Sequence, residues 1–155
     1  MSRRNPPDPT VVARRTLLQG GVASALALTI VPACGNSGEP VLTGPASGGN
    51  ISALDVDTLI LLKGPNTFLG RDATGVYAMS AVCTHMGCLL EPASGTVEGG
   101  AACGCHGSRF DGNGAVTHGP AGRPLQHYQV DIAADGSITI QGGMLVDATA
   151  RTPVA

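Results

Sequence analysis

Two short segments constrain this chain more than anything else in it: Cys83-Thr84-His85-Met86-Gly87-Cys88 and Cys103-Gly104-Cys105-His106-Gly107-Ser108. Each pairs a cysteine with a histidine, spaced C-x-H in the first and C-x-x-H in the second, so each can offer a sulfur and a nitrogen to one shared centre. Gly87, Gly104 and Gly107 let main-chain amides approach a compact ligand, because no Cβ stands in the way. Three chemistries compete for this pattern. Zinc accepts two cysteines and two histidines, but its sites usually pair like with like and would leave Cys88 and Cys105 without a task. Two ordinary disulfides with bystander histidines would use the same four cysteines. A two-iron cluster held by two cysteines on one iron and two histidines on the other is the third.

The remaining composition suits a small domain that needs such a staple. Aromatic residues make up 3% of the 155 residues and tryptophan is absent, so a core of Val, Leu, Ile and Ala will be thin. The length allows one domain and a leader. A net charge of −2, with 13% charged residues, gives no basic surface for nucleic acid. Beyond Ile51 no helical periodicity runs far, and no internal repeat is visible. Short β-type runs alternate with turn residues instead. Thr58 to Leu62 is one such run. Thr67 to Arg71 and Val76 to Val82 flank a turn at Asp72-Ala73-Thr74-Gly75, and Thr96-Val97 and Ala101-Ala102 flank Gly99-Gly100. Leu125 to Ile132 and Ser137 to Gln141 form a further hairpin, with Tyr128, Val130 and Ile132 on one buried face. The expected class is all-β and antiparallel.

Residues 1–34 read as an export signal. Arg14-Arg15-Thr16-Leu17-Leu18-Gln19 precedes an apolar run from Gly20 to Val31, too short for a membrane-spanning helix of roughly 20 residues. The paired arginines resemble a twin-arginine signal, which exports proteins already folded; Leu17 and Gln19 replace the usual Phe and Lys. Val31-Pro32-Ala33-Cys34-Gly35 resembles a lipoprotein cleavage box, which makes Cys34, the odd one of five cysteines, a candidate for lipidation and membrane anchoring. Residues 35–50 are rich in Gly, Ser, Pro, Asn and Thr and read as a flexible linker, with the folded domain over residues 51–155.

From about Phe68 to Ile140 the chain resembles the Rieske iron–sulfur family, in its disulfide-containing respiratory type. The likeness rests on the two Cys/His segments, the second continuing into Arg109-Phe110-Asp111, and on Gly119-Pro120-Ala121 followed by Pro124-Leu125. Gly104 stands where Pro is common. The resemblance implies a Rieske fold of antiparallel sheets with a small cluster-binding subdomain. It implies one 2Fe-2S cluster on Cys83, His85, Cys103 and His106, a disulfide between Cys88 and Cys105, and a proline loop at Gly119, Pro120 and Ala121. Ser108 would donate a hydrogen bond to a cluster sulfur, and Gly107 would shape the docking surface. Phe110 stands where high-potential members carry a hydroxyl-bearing Tyr, which places the potential below the top of the class range of about −150 to +300 mV.

The chemistry this implies is electron transfer by a subunit that is not catalytic alone. Neutral histidines in place of two thiolates make the oxidised cluster less negative, which raises its potential. Outward-facing imidazoles would couple electron uptake to proton uptake, as oxidation of a quinol requires. The expected setting is a quinol–cytochrome c oxidoreductase-like complex on the outer face of a bacterial cytoplasmic membrane, with a cytochrome-type acceptor. A Rieske subunit of another exported oxidase, such as arsenite oxidase, and a zinc-stabilised binding module are the alternatives. His118 and His127 lie in no ligand spacing and read as surface or strand residues. Arg109 and Asp111 read as a surface pair, and Met86 as an apolar cover for the cluster.

Overall fold

Ten strands and one 3-10 turn account for the regular structure of residues 42–154, the part of the chain that the computed structural model describes. Six strands make the larger sheet: β1 Pro45–Asn50, β2 Thr58–Leu62, β3 Thr67–Asp72, β4 Gly75–Ser80, β9 His127–Ile132 and β10 Ser137–Val146, in the order β1-β10-β9-β4-β3-β2. Every pairing in it is antiparallel. The smaller sheet is β5 Glu91–Pro92, β6 Ala101–Ala102, β7 Arg109–Phe110 and β8 Val116–His118, inserted in the chain between β4 and β9. The all-β antiparallel class expected from the sequence is the one observed.

Period-two alternation sends side chains to two cores. Leu69, Val76, Ala78, Tyr128, Val130, Ile138 and Ile140 pack on one side, with Ile132 partly buried beside them. Leu59, Phe68, Tyr77 and Met79 pack on the other, together with Cys83, Leu90, Cys103, Phe110 and Leu125 of the insertion. The second core fastens the small sheet to the large one. Register sets the two faces of the small sheet. Ala101, Phe110 and Val116 share one row facing that core, with Pro92 paired to Ala101, while Glu91, Ala102, Arg109 and His118 form the outward row.

Two expectations are corrected. The stretch read as linker contains β1, which pairs with β10 from Pro45↔Gln141 to Asn50↔Ser137. A strand held by main-chain bonds at a sheet edge needs no apolar side chains, so its composition hid it. Gly48 is required there, since a Cβ would stand 2.6 Å from Ile138 Cγ2. Thr96-Val97 is a turn and not a strand; the partner of Ala101-Ala102 on that side is Glu91-Pro92.

The C-terminal segment locks the sheet. Val76 and Thr152 exchange main-chain hydrogen bonds of 2.9 and 2.8 Å, extending β4 where β9 no longer pairs with it. Arg151 then spreads over three elements: Nε donates to Asp72 Oδ2 at 2.5 Å, a second nitrogen reaches the Asn113 side chain, and the guanidinium lies 3.9 Å above the Tyr77 ring. Burial pushes the Asp72 carboxyl up, but the Thr74 hydroxyl and Arg151 outweigh it and bring the value down to about 2. A carboxyl depressed in this way stabilises the fold above its ordinary value of 3.8 and stops doing so as pH falls toward 2. Arg151→Ala is therefore expected to cost about 2 kcal/mol at neutral pH, read from urea unfolding. The deficit relative to wild type should shrink below pH 4.

Candidate metal centre

The two Cys/His segments are the tips of two equivalent hairpins. In the first, Cys83 N–H donates to Cys88 O and Gly87 N–H to Cys83 O; in the second, Cys103 N–H donates to Ser108 O and Gly107 N–H to Cys103 O. The flanking pairs match too, Val82↔Leu89 in one and Ala102↔Arg109 in the other. Gly87 and Gly107 hold φ near +76° and +79°, the left-handed conformation that closes each turn and that only glycine adopts freely. This repeat is invisible as letters, because Cys88 corresponds to Ser108 and the histidines sit one position apart.

The hairpins face each other. Cys88 and Cys105 form a disulfide between them, as the resemblance implied, with Cα atoms 6.6 Å apart. The reading with two disulfides fails, because Cys83 and Cys103 remain free thiols, 1% and 3% exposed. Sγ of Cys103 lies within 4.8 Å of both disulfide sulfurs, but those two are spent on each other and offer no metal ligand. His85 and His106 meet edge to face with ring centroids 4.9 Å apart. Nδ1 of His85 is buried and has no hydrogen-bond partner.

The surroundings of the two thiols pull them in opposite directions. Burial and the neighbouring Cys103 thiol push Cys83 up and outweigh the amide of His85 and the Ser108 hydroxyl, which favour the thiolate. At Cys103 burial acts the same way, but the amides of Cys105 and His106 and the neighbouring Cys83 thiol prevail and bring the value down. Ser108 is fully buried, and its Oγ also accepts the Ala121 N–H at 3.0 Å. The predicted proline loop thus packs on both hairpins: Ala121 binds Ser108 of the second, and Arg123 O accepts the Thr84 hydroxyl of the first at 2.6 Å. Gly119-Pro120 is a cis peptide, and both residues are exposed beside the hairpin tips. Phe110 is buried on the inward row and has no hydroxyl to give.

His118 and His127 are both strand residues, as expected. His118 is exposed on β8; His127, on β9, is buried: it stacks on Tyr77 and its Nε2 lies 2.9 Å from Asn113 O, with burial pulling its pKa down. Asp111 caps a turn by accepting from the amides of Asn113 and Ala115 rather than from Arg109. Met86 is 69% exposed, between His85 and Gly87 at the tip of the first hairpin. Tyr77 was missed altogether. It is buried, donates to Gly112 O at 2.7 Å, and its pKa is pushed up to about 12 by desolvation.

Buried thiols, an orphaned imidazole nitrogen and amides turned toward sulfur fit a group that takes sulfur and nitrogen donors together. They define an electron-transfer domain with a single two-iron two-sulfur cluster. A family model for the Rieske [2Fe-2S] domain matches residues 49–129, more than half the chain, and the chain belongs to that family. Among relatives, the cytochrome b6-f complex iron-sulfur subunit of Prochlorococcus marinus (strain MIT 9211) is 31% identical over 159 residues, covering 87% of this chain and 88% of that one. The subunit of the same name from Synechococcus sp. (strain CC9605) is 40% identical over 83 residues, 52% of this chain and 46% of that one. Among solved structures, the ferredoxin of carbazole 1,9a-dioxygenase from Nocardioides aromaticivorans IC177 aligns over 64% of this chain and 98% of its own, with 23% identity and a TM-score of 0.47.

Proposed function

We propose that this chain is the electron-transfer subunit of a membrane-bound quinol-oxidising complex, with Cys83 and Cys103 holding one iron and His85 and His106 the other. The observation that carries the reading is the polarity of the site: the two thiols are buried, while the imidazole of His106 is exposed and that of His85 partly so. Sulfur faces the core and nitrogen faces a partner. The bound cluster supplies one-electron chemistry at a potential that its neutral histidine ligands raise. The chain's own part is to present the imidazole edges, where a quinol hydroxyl can give up its proton, and to shield the sulfurs from water. Exposed Met86, Gly107, Gly119 and Pro120 rim that edge and form the docking surface. The similarity to cytochrome b6-f subunits supports a complex of that kind, with a cytochrome as electron acceptor.

The leader and Cys34 lie outside the described residues. On this reading residues 1–34 direct folded export, and lipidation at Cys34 holds the domain on the outer face of the membrane. Among the described residues no helix is long and apolar enough to cross a membrane.

Redox titration of the loaded protein, followed by electron paramagnetic resonance across pH, tests the assignment. A rhombic signal and a potential that falls as pH rises are expected. A pH-independent potential, with co-purification of a molybdenum enzyme, would favour the subunit of another exported oxidase. Ser108→Ala removes a hydroxyl that stabilises sulfur more as negative charge grows. The potential is expected to fall by roughly 50 mV, the equivalent of about 1 kcal/mol.

A further inference from the structure

Strand polarity places the point where the chain enters the domain at the same end of the large sheet as the metal site. β4 runs toward Cys83; β9, antiparallel to it, starts at that end, so β10 finishes there and β1 begins there. Leu42, just ahead of β1, donates its N–H to Tyr128 Oη, and its side chain lies against Gly142. Beside it β10 bulges: Gln141 pairs with Gln129 and Leu145 with Tyr128, which leaves Gly142, Gly143 and Met144 pushed out of the ladder. Met144 at the end of the bulge and Leu145 where pairing resumes are 52% and 54% exposed, two successive apolar residues open to solvent.

Five exposed charges at the ends of the large sheet's strands follow the same axis. Lys63, exposed in the β2–β3 turn, lies at the metal-site end. The opposite end carries the exposed carboxylates of Asp55 and Asp57 before β2, and of Asp131 and Asp135 about the β9–β10 hairpin. The one carboxylate close behind Leu145, that of Asp147, is turned onto the amide and hydroxyl of Thr149.

We infer that Met144 and Leu145 rest in the lipid surface and set the orientation of the domain, with the cluster hairpins held near the bilayer and the acidic end turned away. The inference rests on the anchoring reading of Cys34. Eight peptide steps separate Cys34 from Leu42, so the anchor and the bulge are at most about 28 Å apart along the chain. Two apolar side chains alone bind a bilayer weakly. A short tether raises their effective concentration at the surface, so that weak contact suffices to choose one face. An anionic surface would also repel the four exposed aspartates and attract Lys63.

The chain has no tryptophan, which makes a single introduced one a clean probe. Full-length, cluster-loaded protein carrying Leu145→Trp is bound to phosphatidylethanolamine–phosphatidylglycerol vesicles with and without brominated acyl chains. Val56→Trp, at a 54% exposed position of the opposite end, is the comparison. Brominated lipid is expected to lower the emission of the Leu145→Trp protein about twofold or more and leave that of the Val56→Trp protein unchanged. Vesicle sedimentation of both proteins with no quenching in either would overturn the orientation while the anchor stands. Failure to sediment at all would overturn the anchor and the orientation together. The cluster's absorption in each variant shows that the fold has survived.

Discussion

Cys103→Ala is expected to leave a folded protein that holds no two-iron cluster, with iron content near zero and no visible absorption. The thiol it removes is 3% exposed and sits opposite Cys83, with the amides of Cys105 and His106 turned toward it. No other sulfur can replace it, because the nearest two are locked in the Cys88–Cys105 disulfide. Metal-bound clusters lose far more from a missing ligand than the roughly 10–100-fold that a supporting hydrogen bond contributes. The disulfide remains in this variant, so circular dichroism should report an unchanged β fold. His118→Ala is the comparison and is expected to keep full iron, since His118 is exposed on β8 outside both hairpins. Normal iron and an unaltered spectrum in Cys103→Ala would sink the ligand assignment.

Removing the disulfide should be nearly as damaging by a different route. Cys88 and Cys105 are 17 residues apart, and closing a loop of about that length is worth on the order of 3 kcal/mol through the unfolded chain. The bond also spans the two hairpins near their histidines, alongside the His85–His106 ring contact and the proline loop that reaches Ser108 and Thr84. Cys88→Ala with Cys105→Ala is therefore expected to lower unfolding stability by about 3 kcal/mol. It should also speed cluster loss several-fold at constant temperature, followed as bleaching of the visible absorption. Equal stability with a long-lived cluster would show that the remaining contacts between the hairpins align them without the disulfide.

Much of the site could be read along the chain because its chemistry is local. A cysteine and a histidine two or three residues apart mark a donor pair wherever they fold, and the glycines mark turns. The strands β2, β3, β4 and β9 were likewise legible, since each is a short run rich in apolar and β-prone residues set off by turn residues, β3 and β4 being buried on both faces. The first strand was not, because Pro45-Ala46-Ser47-Gly48-Gly49-Asn50 is ordered by main-chain bonds to β10 and not by its side chains. The buried contacts of His127 and Tyr77 were not legible for a related reason. Their burial comes from Asn113, Gly112 and Arg151, partners 14, 35 and 74 positions away.

Residue identity and short-range spacing alone determined the kinds of donor, the positions of the turns and the β class. Tertiary structure decided which sulfurs pair and which stay free, that the two hairpins are copies of one geometry, and that β1 begins at the metal-site end of the large sheet. Those outcomes depend on register between strands far apart in sequence. A shift of one residue in such a ladder turns every side chain to the other face, and no local pattern records which register wins.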